Sequence, residues 1–108
     1  MVGDYGIKLP SIPGYVTNNA HMFYLDCASL QQRSQLIKYL DLAGIKAVFH
    51  YQSLHCSPYF QGLHDGRLRP NSDHFTDSIV RLPMYFDLSN DEVDVICEQV
   101  VTCLLELA

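Results

Sequence analysis

Two histidines and a tyrosine follow an apolar run near the middle of the chain. His50 and Tyr51 come directly after Ile45-Lys46-Ala47-Val48-Phe49, and His55 comes four residues later. Imidazole and phenol groups donate and accept hydrogen bonds, and imidazole also titrates near neutral pH. Such groups at the end of a strand are typical of a polar-ligand site, for a phosphate or sugar hydroxyls. We therefore predict that His50, Tyr51 and His55 contact a ligand; the alternative is that the histidines only cap loop carbonyls.

Two other kinds of site use residues of the same loop. A metal site built on His50 and His55 needs a third ligand such as His64 or Asp65, and this spacing matches no specific metal motif. Cys56 beside His55 has the composition of a thiol–imidazole nucleophile, but side chains of sequence neighbours diverge. We predict neither a metal site nor a catalytic residue in this chain.

The other histidines and the cysteines have simpler interpretations. His64 and His74 stand among polar residues, which predicts that both are solvated. The cysteines contain no C-x-x-C pair, so we expect reduced thiols in the core and no structural zinc site. These cysteines are Cys27, Cys56, Cys97 and Cys103.

Composition limits the partners of the protein. The 108 residues fit one domain, and the hydrophobic fraction of 48% with a charged fraction of 18% is that of a globular protein. A net charge of −5 argues against a nucleic-acid partner, because phosphates require a basic surface. The apolar segments are too short or too interrupted to span a membrane. With no signal-peptide pattern after Met1, we expect a cytoplasmic protein.

The first half of the chain predicts one strand, one helix and a second strand. Residues 1–19 are rich in Gly and Pro and predict an irregular lead-in before a domain over residues 20–108. The first strand is predicted over residues 21–27 and the second over residues 46–51. Between them, Ser29 and Gln32 form a capping box that opens a helix, and Gly44 ends it in a left-handed conformation.

The second half predicts a long loop, two helices and a third strand. Residues 52–71 hold most of the remaining turn formers, and Asn71 or Ser72 caps a short helix that carries Phe75 and Ile79. The third strand is predicted over residues 82–85, with Pro83 placing it at an edge or at its own start. A second capping box, Ser89 with Glu92, opens the last helix. The order β-α-β-loop-α-β-α predicts an α+β fold, a sheet of about three strands with helices on one face.

Three blocks of the sequence resemble one enzyme family. They are Asn19-Ala20-His21-Met22-Phe23-Tyr24, then Gly44 to His55 with Ser57-Pro58, then Arg81-Leu82-Pro83-Met84-Tyr85-Phe86-Asp87-Leu88-Ser89. Together they resemble the C-terminal small domain of the pyridoxal-phosphate-dependent sugar aminotransferases of the DegT/DnrJ/EryC1/StrS family. Within that family the likeness is nearest to the dTDP-4-keto-6-deoxy-glucose transaminases. The resemblance implies the small domain of a fold-type I aminotransferase.

The resemblance also implies a division of roles between this chain and a large domain. In the family the large domain carries the cofactor, and catalysis needs a Schiff-base lysine. Lys8, Lys38 and Lys46 do not stand in the family's Ser-x-x-Lys type of context, so we expect no pyridoxal phosphate bound by this chain alone. By the same resemblance His50, Tyr51 and His55 contact the nucleotide sugar. Asp73 replaces a glutamate of many members and is expected to cap a helix.

These expectations give two functional hypotheses. The first is an isolated small-domain fragment, inactive in transamination by itself, that either complements a large domain in trans or is a truncated gene product without activity. The second is a stand-alone binding or self-association module without enzyme activity. In both, the sheet face without helices exposes an apolar patch, so we expect a homodimer or a higher homo-oligomer.

Overall fold

A three-stranded antiparallel sheet organises the domain. In a computed structural model, which describes residues 2–107, the strands are β1 (Phe23–Asp26), β2 (Val48–Phe49) and β3 (Ile79–Leu82). Their order is β1-β3-β2, so β3 is central, with Leu25 opposite Val80 and Phe49 opposite the same Val80. The predicted α+β class with about three strands is confirmed.

Three α-helices complete the domain. They are α1 (Leu30–Leu42), α2 (Pro70–Ser78) and α3 (Asn90–Leu107), with short 3-10 helices at Val2–Tyr5 and Leu54–Cys56. None of the helices in the described part of the chain is long and apolar enough to cross a membrane. Helices α1 and α3 contribute most of the fully buried side chains of the core, together with Leu25 and Val80 of the sheet.

The ends of α1 and α3 follow the local signals in the sequence. The Ser29 hydroxyl accepts the Gln32 N–H at 3.1 Å, and the Gln32 side chain accepts the Ala28 N–H at 2.8 Å. At the other end Gly44 has φ +80°, and the Ile45 N–H donates to the Leu40 carbonyl at 2.8 Å. This arrangement is a Schellman motif, so the predicted left-handed glycine is confirmed.

The predicted capping box of Ser89 and Glu92, which opens α3, is also confirmed. The Ser89 N–H donates to the Glu92 carboxylate at 2.8 Å, and the Glu92 N–H donates to the Ser89 hydroxyl at 3.2 Å. The two residues therefore satisfy each other's free donors at the start of the helix.

The predictions around α2 and β3 are wrong in four respects. The strand covers residues 79–82, not 82–85, and it lies at the centre of the sheet, not at an edge. Pro83 follows the strand, because a residue without an N–H group cannot donate within a central strand. Helix α2 ends at Ser78, so Ile79 belongs to the strand, and the helix is capped by the backbone of Arg69 with Pro70 at its first position.

The two outer strands are shorter than predicted. Strand β1 lacks residues 21, 22 and 27 of the predicted range, and β2 keeps only residues 48 and 49. Near the N-terminus, Ile7 is buried in the core and Lys8 pairs with Asp26 through two backbone hydrogen bonds. The start of the chain therefore extends the sheet by one isolated bridge.

The two faces of the sheet differ in their cover. Leu25 and Val80 lie on the face packed against α1 and α3 and are buried. Because neighbouring residues of a strand point to opposite faces, the other face carries Tyr24, Val48 and Arg81, which are only half-buried. At one end of the same face, Asp26 and Ile79 are buried. This second face is the open face of the domain.

Candidate functional site

The chain leaves the sheet directly after β2. His50 and Tyr51 follow the last strand residue, and their rings lie 4.8 Å apart at an interplanar angle of 59°. Tyr51 has φ +52°, a left-handed conformation that is uncommon for a residue with a side chain. This backbone places the Tyr51 ring largely in solvent, whereas the Nδ1 atom of His50 is buried and has no hydrogen-bond partner among residues 2–107. The rings of His50 and Tyr51 therefore form one contact at the end of β2.

A group of hydroxyls fastens the next segment to α2. Ser53 is buried, and its Oγ atom lies 2.9 Å from the Ser72 hydroxyl and 2.6 Å from the Thr76 hydroxyl. The Gln52 side-chain amide donates to the Cys56 carbonyl at 3.0 Å, which closes the 3-10 turn at residues 54–56. The turn is thus held against the first two turns of α2.

His55 lies in that turn and faces the start of α2. Its Nε2 atom is 3.1 Å from Oδ1 of Asp73, and its side chain is only 14% exposed. Asp73 stands in the first turn of α2, where its N–H donates to the Arg69 carbonyl at 2.9 Å. The expectation that the Asp73 side chain caps the helix is wrong, because no side chain caps α2 and this carboxylate pairs with His55 instead.

His64, which the sequence interpretation considered beside His55 only as a metal ligand, lies next to it in the structure. The two imidazole rings lie 5.2 Å apart, and the His64 side chain is only 18% exposed. Its Nδ1 atom accepts the Gly66 N–H at 3.1 Å. The prediction that His64 is solvated is therefore wrong; the turn at Asp65-Gly66 folds the imidazole back against the 3-10 turn.

His74 also has a partner. Its Nε2 atom lies 3.1 Å from a carboxylate oxygen of Asp26, which is buried at the end of β1, although the His74 side chain is 49% exposed. The prediction of a solvated side chain is half correct. The pair of His74 and Asp26 joins α2 to β1, so its role is to hold these two elements together.

The cysteines are reduced, but only two lie in the core. Cys27 and Cys103 are buried, whereas Cys56 and Cys97 are exposed. Burial, followed by the neighbouring Asp26 charge, raises the pKa of the Cys27 thiol to about 11. The prediction of four core thiols is therefore wrong for Cys56 and Cys97, which lie on the 3-10 turn and on α3.

Two cavities border these elements; both linings are mostly apolar, and the cavities differ in their polar groups. A cavity of about 350 Å³ is lined by His55, His64, Arg69 and Ser72 together with Leu54, Phe60 and Leu63. A larger one, of about 460 Å³, lies between residues 44–46, the segment after β3 and α3, and its charged groups are Lys46, Asp91 and Glu92. The smaller cavity is the candidate ligand site because it holds the imidazoles and a guanidinium, which suit an anionic ligand.

The fold is shared with solved aminotransferases. TlmJ from Streptoalloteichus hindustanus superimposes with a TM-score of 0.83 at 22% identity, over 94% of this chain and 27% of its own. Spr1654 from Streptococcus pneumoniae, assigned as a sugar aminotransferase and solved in its apo form, gives a TM-score of 0.83 at 27% identity, over 97% of this chain and 29% of its own. S. venezuelae DesV, solved with a ketimine intermediate, gives a TM-score of 0.75 at 26% identity, over 90% of this chain and 26% of its own. The fold is that of one part of an aminotransferase.

Sequence comparison defines the family. Residues 6–101 match the DegT/DnrJ/EryC1/StrS aminotransferase family. The chain belongs to this family, so the resemblance seen in the three sequence blocks is confirmed. It spans about a quarter of the length of the aminotransferases that it matches.

Proposed function

We propose that this chain is the small domain of a nucleotide-sugar aminotransferase and that it acts on a dTDP-4-keto-6-deoxy-hexose only together with a large domain. The family match over residues 6–101, combined with a span of about a quarter of the relatives, carries this proposal. The small domain then supplies one wall of the site. The large domain supplies the cofactor and the catalytic lysine.

The lysines of this chain do not fit the cofactor. Lys8, Lys38 and Lys46 are all exposed, whereas a Schiff-base lysine is activated by desolvation or by a neighbouring cation. Lys46 borders the larger cavity together with Glu92, but the Glu92 carboxylate is already held by Ser89. We therefore propose that the chain alone is inactive in transamination.

The residues proposed to contact the nucleotide sugar are His50, Tyr51 and His55. The buried Nδ1 atom of His50 has no partner within the described chain, which is costly unless a ligand or a second protein surface supplies one. The exposed phenol of Tyr51 offers a hydroxyl beside it. His55 lines the smaller cavity, 5.2 Å from the ring of His64.

A large domain or a second copy is proposed to cover the open face and the segment after β3. The Nε atom of Arg81 on that face is buried without a hydrogen-bond partner in the described chain. Beyond the strand, Met84 and Tyr85 are exposed and Phe86 is fully so, at 102%. Apolar side chains of this size are normally buried by an interface. A homo-oligomer, or a stand-alone binding module, is the second candidate function, and this exposed segment favours it.

One titration tests the ligand role. We expect dTDP-glucose at millimolar concentration to shift backbone NMR resonances of residues 48–58 in the isolated chain. A His50→Ala variant should weaken the response, and His21→Ala, which changes an exposed histidine outside this region, should not. No shift in residues 48–58 at millimolar nucleotide sugar would refute the ligand role. Sedimentation tests the second candidate, and a clean monomer at micromolar concentration would count against self-association.

A further inference from the structure

The three donor groups of His55, Cys56 and Asp73 converge at the junction of the 3-10 turn and α2. One nitrogen of the imidazole, the thiol sulfur and one carboxylate oxygen all lie within 4.8 Å of one another. Two of these residues are sequence neighbours, and the third is contributed by the first turn of a helix. The convergence is therefore a product of the tertiary structure.

The spacing of these atoms is close to that of ligands around one metal ion. Tetrahedral zinc, with Zn–N and Zn–O distances of about 2.0–2.1 Å, separates two such ligand atoms by about 3.3 Å. The observed distance from Nε2 of His55 to Oδ1 of Asp73 is 3.1 Å. A Zn–S distance of about 2.3 Å separates sulfur from the other ligands by about 3.6 Å. The sulfur of Cys56, which is exposed, lies within 4.8 Å of the other two atoms and would have to approach them by about 1 Å to reach that distance.

The surrounding structure holds two of the ligands in place. The buried Ser53 hydroxyl bonds to Ser72 and Thr76, which fixes the turn that carries His55 against α2. Asp73 is fixed by the helical backbone, where its N–H donates to Arg69. A site on elements that are already positioned needs little further ordering when an ion binds.

His64 is excluded from the ligand set by its hydrogen bond. Its Nδ1 atom accepts the Gly66 N–H at 3.1 Å, so that nitrogen carries the lone pair. In the neutral imidazole the proton is then on Nε2, and a metal on Nε2 would require that proton to move to Nδ1, towards which the Gly66 N–H already points. The buried Nε2 atom instead lies 3.6 Å from the Asp65 carboxylate. A three-residue site with an exchangeable fourth position remains.

We propose that His55, Cys56 and Asp73 bind one divalent transition-metal ion of the zinc type. One nitrogen, one thiolate sulfur and one carboxylate oxygen form a mixed set that suits Zn²⁺ or Co²⁺, whereas Mg²⁺ and Ca²⁺ prefer oxygen ligands alone. Three protein ligands with an open fourth position are the pattern of an exchangeable site. Binding would join the turn at residues 54–56 to α2 across the intervening loop.

Cobalt titration of the full chain tests this site. We expect one equivalent of Co²⁺ to produce a thiolate-to-cobalt charge-transfer band in the near ultraviolet, which Zn²⁺ then removes by competition. Cys56→Ser should abolish the band, and Asp73→Asn should weaken Co²⁺ binding at least about tenfold. Cys97→Ser is the matched control, because Cys97 is also exposed but lies on α3 away from the turn. It should bind as the unmodified chain does.

Three outcomes would overturn the proposal. They are no charge-transfer band at millimolar Co²⁺, equal loss of the band in the Cys56 and Cys97 variants, or loss of binding in His64→Gln as complete as in Cys56→Ser. Far-ultraviolet circular dichroism checks that each variant is folded. Because Cys56 is exposed, its replacement by serine decides the matter even if the Asp73 variant unfolds. No nucleotide is present, so the result is independent of the proposed aminotransferase function.

Discussion

Truncation of Leu40 provides the strongest test of how the fold is held together. Leu40 lies on the inner side of α1 and is 0% exposed, within the buried cluster that includes Val80, Val100 and Leu104. Leu40→Ala removes three carbon atoms, worth about 0.8 kcal/mol each in transfer free energy. The cavity left behind adds to this sum. We therefore expect a loss of about 3–4 kcal/mol in the free energy of unfolding, within the range of about 2–5 kcal/mol for such replacements.

Leu42, two residues further along the same helix, is the matched control. Its side chain is 81% exposed, so Leu42→Ala removes almost no buried surface. Helix propensity barely distinguishes the two sites, because both exchange leucine for alanine in the last turn or two of α1. We expect Leu42→Ala to change the free energy of unfolding by less than about 0.5 kcal/mol.

Urea unfolding followed by far-ultraviolet circular dichroism measures the difference. With a slope of about 1–3 kcal/mol per molar urea, the Leu40 variant should lose about 2 M in its unfolding midpoint. A small domain has a total stability of only about 5–15 kcal/mol, so this loss is a large fraction. A loss below about 1 kcal/mol, or equal losses in the two variants, would refute the assignment of α1's inner face to the core.

Two further predictions concern ionisable side chains. The thiols divide by burial into a protected pair, Cys27 and Cys103, and an exposed pair, Cys56 and Cys97. A thiol reagent at neutral pH should label two cysteines rapidly in the native chain and all four after denaturation, because burial raises the pKa of both protected thiols. Rapid labelling of Cys27 in the native chain would contradict its burial in the core. The second prediction concerns Glu92, whose pKa is lowered from 4.5 by hydrogen bonds from the backbone and hydroxyl of Ser89. The contribution of this carboxylate to stability is fully present above that value and is lost as the pH falls below it. Between about pH 5 and 3 the melting temperature should therefore fall less in Ser89→Ala than in the unmodified chain. Equal falls in the two proteins would count against the capping box of Ser89 and Glu92.

Features set by a few neighbouring residues could be predicted from the sequence. Both capping boxes and the Gly44 terminus formed as predicted, because each involves groups within a few positions of one another. The boundary between α2 and β3 could not be predicted in this way. Ile79 continues the apolar spacing of the helix, and only its pairing with Asp26 places it in a strand. A tertiary contact decided the conformation of that residue.

The candidate site was predictable only along one stretch of chain. The position of His50 and Tyr51 directly after β2 follows from the order of residues. The contact between their rings does not, because it depends on the left-handed backbone of Tyr51. The position of His55 does not, because it depends on Asp73 and on the hydroxyl group of Ser53, which meet it through the docking of α2. His55 and Asp73 are 18 positions apart, one in a loop and one in a helix, and no residue spacing in the sequence predicts their contact.

The two roles proposed for His55 use different nitrogen atoms of one ring. Nε2 faces Asp73 at 3.1 Å, so a metal bound with Asp73 takes that nitrogen. A metal on Nε2 leaves the ring proton on Nδ1, which makes Nδ1 a hydrogen-bond donor of fixed orientation. Sugar hydroxyls and phosphate oxygens accept such a bond, whereas an imidazole that exchanges its proton between the two nitrogens offers it only part of the time. Metal binding at the start of α2 would therefore strengthen the contact of His55 with a nucleotide sugar.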